Sequence, residues 1–208
     1  MPLQSETTIE APASAELAGG TIRKLLPGEH GAFLDHLLRL DPLSRFTRFG
    51  APVSDAAVRR HAASVRAGRV LVLGYFVEGV LRGAAELHVF RGRGPQPRAG
   101  EAAFSVERPW QGKGVGSALM RHLIVLARNR RVEELHIVFL ASNGGMKRIA
   151  IRNEADLRFD ADEVVGLVHA PGPTPFSWLR EWLADLYGIL GTAADHQARL
   201  LPGAPRGR

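Results

Sequence analysis

The chain has no cysteine among its 208 residues. That excludes disulfides, thiolate metal sites and cysteine nucleophiles. Lysine is nearly as scarce: of 27 basic residues only Lys24, Lys113 and Lys147 are lysines, and 24 are arginines. Tyr75 and Tyr187 are the only tyrosines, so phenolic proton donors are few. No apolar run approaches the ~20 residues of a membrane-spanning helix. Residues 1–20 lack the basic-then-apolar order of a secretory signal. Both absences lead to the expectation of a cytoplasmic protein with no membrane partner. The eight histidines are scattered. His30/His36 and His61/His88 lack ligand spacing and no H-E-x-x-H occurs, so no metal is expected.

What is present suits one globular domain with extensions. The apolar fraction is 45% and the net charge is +6. A basic surface suits an anionic ligand, whether a phosphorylated cofactor, an acidic protein or nucleic acid, and it also serves solubility. Residues 1–20 read as a mobile tail. A short strand at 21–26 precedes a helix at 28–40 with Phe33, Leu37, Leu38 and Leu40 in a stripe. Asp41-Pro42 breaks that helix, and Ser54 or Asp55 caps another that runs to Arg66. Strands at 70–77 and 80–90 form a hairpin about Glu78-Gly79. Residues 92–99 read as a loop.

A strand at 101–106, a turn at 109–114 and a helix at 115–130 follow, then a strand at 135–140. Ser142-Asn143 caps a helix to Glu154, and residues 157–168 form a hairpin about Asp160-Ala161-Asp162. The expected order is β-α-α-β-β-β-α-β-α-β-β, an α/β domain with a mixed sheet over 21–170. Residues 171–175 read as a linker. Phe176, Leu179, Leu183, Leu186, Tyr187 and Leu190 recur at helical spacing, with Trp178 and Trp182 widening the apolar face. That helix is expected to pack on its own domain or on a dimer partner. Residues 193–208 are expected to be disordered.

The turn Gln111-Gly112-Lys113-Gly114-Val115-Gly116 carries the chemistry. Glycines at alternate positions let a ligand approach the backbone closely. The helix that follows adds unpaired N–H groups and partial positive charge, an anion site suited to pyrophosphate. Lys113 and Arg108 add charge at its rim. A P-loop requires Ser or Thr after Gly-Lys, where Gly114 stands. A dinucleotide fingerprint requires G-x-G-x-x-G after the first strand, which neither the spacing nor the position matches.

The pattern Gln111-x-x-Gly114-x-Gly116 resembles the Q/R-x-x-G-x-G/A signature of GNAT acetyltransferases. Ala102–Val106 is similar to the family's fourth strand, and Asn143, Met146, Ile149 and Ala150 match its N-x-x-M-x-x-L-A pattern. The resemblance covers about residues 21–169. It implies a GNAT fold, with a mixed, mostly antiparallel sheet splayed between its fourth and fifth strands. It also implies acetyl-CoA as co-substrate and direct attack by an amine in a ternary complex. Backbone groups near Ser105 and Val106 would then pair with the pantetheine arm, and a backbone N–H there would polarise the thioester carbonyl. The N–H groups of Gln111, Gly112, Lys113, Gly114, Val115, Gly116 and Ser117 would hold the pyrophosphate. Asn143 would touch the arm, cap its helix, or both.

Transfer to an amine needs a base, because an ammonium is protonated at neutral pH. The family resemblance implies Glu101 for that role; Glu86, with His88 on its face of the strand, is the rival. Two departures stand out. The family's proton-donating tyrosine usually occupies the place of Ala150, and Glu154-Ala155 replaces the usual Gly-Phe. A non-catalytic acyl-CoA sensor is therefore the alternative. The stretch from Leu40 to Phe49 looks like the L-S-P-x-S-R-Y-x-R-F segment of bacterial protein lysine acetyltransferases, which favours a protein lysine over a small amine. The cluster Arg91, Arg93, Arg98, Arg128, Arg130 and Arg131 lacks interleaved aromatics, so nucleic acid is not an expected partner.

Overall fold

The computed structural model describes residues 19–66, 70–90, 98–170 and 172–185. The expectations for residues 1–18 and 186–208, and for Arg91 and Arg93, lie outside these.

Strand β1 (Thr21–Lys24) leads into helices α1 (His30–Arg39), α2 (Pro42–Phe49) and α3 (Asp55–Arg66). Helix α2 is a correction to the sequence reading, which took Asp41-Pro42 only as a break. Pro42 stands in the first turn, where its missing N–H costs nothing and its fixed φ suits a helix. The Asp41 carboxylate accepts from the Ser44 N–H at 3.2 Å. Gly50, in the left-handed region, closes the helix by donating to the Phe46 carbonyl. Asp41-Pro42 thus ends one helix by starting the next.

Strands β2 (Val70–Val77), β3 (Val80–Val89) and β4 (Ala99–Val106) follow. Glu78 and Gly79 both have positive φ, as a two-residue hairpin turn requires. A single 3₁₀ turn (Arg108–Trp110) precedes α4 (Val115–Asn129). Then come β5 (Glu134–Leu140), α5 (Gly144–Arg152) and the hairpin β6 (Asp156–Asp160) and β7 (Glu163–His169). Residues 175–185 form a further helix, α6.

Among the described residues seven strands lie in the order β1-β2-β3-β4-β5-β7-β6, and of their pairings β4–β5 alone is parallel. Strand alternation separates two cores. Leu73, Tyr75, Leu87, Ala102, Leu135 and Ile137 meet the α4 stripe Leu119, Leu123 and Leu126 on one face. Val72, Phe76, Leu81 and Ala84 meet Phe33 and Leu37 of α1 and Val58 of α3 on the other.

The sheet opens where the resemblance implied. Strands β4 and β5 pair only from Ala99↔Glu134 to Ala102↔Ile137, although β4 continues to Val106 and β5 to Leu140. Beyond Ala102 their edges separate into a cleft.

Candidate active site

Ladder parity decides which β4 groups face the cleft. The Phe90 N–H donates to the Ala99 carbonyl, and the Glu107 N–H to the Arg82 carbonyl. In an antiparallel ladder such bonds recur every second residue. The main chains of Glu101, Ala103 and Ser105 therefore turn to β3. Those of Phe104 and Val106 turn toward β5, beyond the last paired residue, Ala102. The Val106 carbonyl accepts from the Gln111 side chain at 2.8 Å, and the same amide nitrogen reaches Ser44 Oγ at 2.9 Å. Gln111 thus ties α2 to the end of β4.

The glycine loop has the conformation its residues suggest. Gly112 and Gly114 have φ of +72° and +83°. Nothing within 4 Å would meet a Cβ at Gly112. The demand there is conformational, and the space beside it is open. A Cβ at Gly116 would come within 2.9 Å of Ile149 Cδ1, so this glycine lets α5 pack against α4. The first bond of α4 runs from the Ala118 N–H to the Gly114 carbonyl. The N–H groups of Val115, Gly116 and Ser117 precede that ladder and point out of the helix start. The Val115 side chain is buried in the core and anchors the turn. Lys113 Nζ lies 5.1 Å from the centre of the Trp110 ring. An open cradle of N–H donors beside a strand edge that has no partner strand beyond Ala102 fits a ligand that has both a pyrophosphate and an amide-bearing arm.

Asn143 caps α5, accepting from the Met146 N–H at 3.1 Å. The Ala150 side chain is fully buried in the core. Tyr75 is fully buried as well, 5.8 Å edge-on from the Trp110 ring. Tyr187 lies outside the described residues.

Parity places Glu86, His88, Glu101, Ala103 and Ser105 on the sheet face that carries α1–α3. Glu101 is exposed and stands opposite His88 on β3 and His136 on β5. Glu86 is only 1% exposed. Arg48 of α2 pairs with its Oε1, His61 of α3 bonds its Oε2 at 2.9 Å, and His88 Nε2 lies 3.5 Å from Oε2. Burial pushes the Glu86 carboxyl up, but Arg48, His61 and His88 outweigh it and hold it far below the usual carboxylate range. Glu86 is therefore held as an anion, whereas the Glu101 carboxylate makes no ion pair or hydrogen bond to a described residue.

A second buried network went unread in the sequence. His36 bonds Ser105 Oγ at 2.9 Å through Nε2 and faces Glu107 Oε1 at 3.2 Å through Nδ1. Arg39 and Arg82 also donate to Glu107, at 2.9 and 3.0 Å. Burial pushes His36 down, more than Glu107 raises it. Burial raises Glu107, but bonds from His36, Arg82 and Arg39 lower it further than that. The network clamps α1 to the end of β4. The apolar stripe of α1 hid it, because His36 lies between Phe33 and Leu37 on the buried side.

Residues 35–149, more than half of the chain, match the family model described as "Acetyltransferase (GNAT) family". The chain belongs to the GNAT acetyltransferase family. Acetyl-CoA is the co-substrate typical of GNAT enzymes. Among solved structures the chain is similar to the GNAT domain of S. lividans PAT. That match has 21% identity and a TM-score of 0.60, covering 72% of this chain and 90% of that one. It is also similar to yncA of Salmonella typhimurium with its cofactor acetyl-CoA, at 17% identity and a TM-score of 0.57, covering 74% and 96%. A GNAT-family acetyltransferase from Streptococcus pneumoniae matches at 13% identity and a TM-score of 0.56, covering 71% and 96%. These likenesses concern the GNAT fold.

Among the described residues no group of three or more His, Asp or Glu side chains could hold a metal ion, and no helix is long and apolar enough to cross a membrane. Of the arginine cluster, Arg130 pairs with Glu181 at 3.1 Å, and Arg98 donates to the Arg130 carbonyl at 3.5 Å.

Proposed function

We propose that this GNAT enzyme acetylates a primary amine, with a protein lysine as acceptor class, and that Glu101 takes the proton from it. The observation that carries this reading is the cleft opening after Ala102, with an exposed carboxylate one residue before it that has no ion pair among the described residues. The N–H groups of residues 112–117 would cradle the pyrophosphate of acetyl-CoA, the Gln111 N–H being bonded to the Arg108 carbonyl, and the main chains of Phe104 and Val106 would pair with its arm. Bound there, acetyl-CoA supplies an activated acyl group. A β4 N–H directed at the carbonyl oxygen stabilises charge that develops in the transition state. Asn143 contributes by fixing the start of α5, and Ser105 by locking β4 to His36.

The acceptor class rests on α2. Its residues are those of the segment resembling protein lysine acetyltransferases, and S. lividans PAT shares the fold. Arg45 bonds Asp55 at 2.6 Å and the Leu38 carbonyl at 2.9 Å, Arg48 pairs with Glu86, and Ser44 meets Gln111. Those ties hold α2 beside β4 and leave Leu43 and Phe46 exposed as an apolar wall for a peptide.

The test is CoA release from acetyl-CoA with lysine peptides and with small amines. Turnover on lysine peptides, lost in Glu101→Gln, is expected. Turnover only on small amines would overturn the acceptor class. Tight acetyl-CoA binding without turnover on any amine would make the protein a sensor instead.

A further inference from the structure

The carboxylate–imidazole–carboxylate row on the α1–α3 face is not accounted for by a single base. His88 and Glu101 are directly opposed, and by ladder parity they form a hydrogen-bonded pair, the kind whose Cα atoms lie ~5.5 Å apart with both side chains on one face. On the other side of His88, the Glu86 carboxylate faces Nε2 at 3.5 Å. A carboxylate can only accept, so it favours the tautomer with the proton on Nε2 and leaves the Nδ1 lone pair free. Nδ1 has no hydrogen-bond partner among the described residues. The ring is one-third exposed, so it can exchange protons with water.

The surroundings set the sign of the local field. Val70 of β2 stands opposite His88, and Glu86 lies two residues before it on β3. Arg48 of α2 and His61 of α3 approach Glu86, and His136 of β5 lies beyond Glu101. The buried anion is already matched by Arg48. It therefore positions the imidazole without being consumed as a base.

We propose that His88 is a proton relay: through an intervening water its Nδ1 takes from Glu101 the proton that Glu101 has taken from the acceptor ammonium, and Glu86 is the positioning residue behind it. Imidazole is the more basic of the two side-chain types, so the transfer runs downhill and restores the Glu101 carboxylate. The neutral amine then forms its bond to the acyl carbon as the carbon–sulfur bond breaks. The second amine proton goes to the departing thiolate through water, and the imidazolium releases its proton to solvent. One proton is released per turnover. This inference rests on the acceptor amine meeting Glu101 as proposed above.

Two measurements test it. Nitrogen-resolved NMR titration of His88 in the full chain should show the Nε2–H tautomer, with a titration midpoint that falls in Glu86→Gln and in Glu101→Gln. The pH profile of kcat/KM in His88→Gln should lose its imidazole limb, with a rate at neutral pH reduced about tenfold or more. A wild-type pH profile in His88→Gln overturns the relay. So does a mixture of tautomers in the wild-type protein, which is readable even if Glu86→Gln does not fold. If no amine is acetylated, the acceptor reading fails, and the titration still decides whether Glu86 positions His88.

Discussion

Glu101 and Glu86 are two carboxylates on one sheet face with opposite circumstances. Glu86 is buried, paired and held in its charged form; Glu101 is exposed and has no ion pair among the described residues. Replacing Glu101 with Gln is expected to lower kcat by ~10²–10⁴-fold. The acetyl-CoA Kd, measured by calorimetry, should hardly change, because no cradle group is touched. Arg48→Ala should act the other way. It strands a buried anion, a change that costs about 3 kcal/mol, read as a lower urea midpoint.

Stability should also follow pH. His36 and His122 have values below the ordinary 6.5, both chiefly through burial. Their contribution is complete above 6.5 and lost as pH falls toward their folded values. In Glu29, Glu86, Glu107 and Glu181 burial raises the carboxyl, but basic partners hold it below the ordinary 4.5. Their contribution is present above 4.5 and lost below it. The Tm is expected to decline in two stages on acidification, the first beginning near pH 6.5 and the second near 4.5. A Tm that holds steady down to pH 4.5 would contradict the buried neutral His36.

The elements show which turns the backbone itself demands. Gly114 caps α4 from the left-handed region, where an L side chain costs ~1–2 kcal/mol. Gly114→Ala should lose about that much stability and weaken acetyl-CoA binding, whereas Gly112→Ala should be strained but unobstructed. The same rule explains the glycine usual at position 154, not the glutamate that stands there. Glu154 follows the end of α5 with φ +55°, the place where helices commonly carry glycine. Glu154→Gly should raise stability by ~1 kcal/mol in thermal or denaturant unfolding. The fold was largely legible at this scale because hydrophobic period and turn residues are local. Helix α2 was not, because Asp41-Pro42 reads equally as an end and a beginning. Only the cap geometry chooses.

For the whole molecule, α6 inverts the usual arrangement. Its inward side is polar: Glu181 pairs with Lys24 and Arg130, and Ser177 bonds the buried Asn129. Phe176, Trp178, Leu179 and Trp182 stand about half to two-thirds exposed. Among the described residues polar clamps hold this helix to its domain, and the apolar face expected to pack there stands largely exposed. Glu181→Ala should cost about 2 kcal/mol, since it breaks charge-assisted bonds. Trp182→Ala should cost less, and limited proteolysis would rank the two.

By itself the sequence determined the family, the element order from β2 onward and the glycine turn before α4. Those depend on residue type at short spacing: φ > 0 at Gly112 and Gly114, period two in the strands, and a helix after the turn. Tertiary structure alone decided which carboxylate is free. In the sequence the family resemblance favours Glu101 as the base, but no local pattern tells which of the two carboxylates is paired. Arg48, 38 residues before Glu86 in the chain, neutralises one of them because α2 crosses the sheet there. It also decided that Phe104 and Val106 turn their backbones to the cleft, since that depends on the β3–β4 register and on where β4 stops pairing with β5.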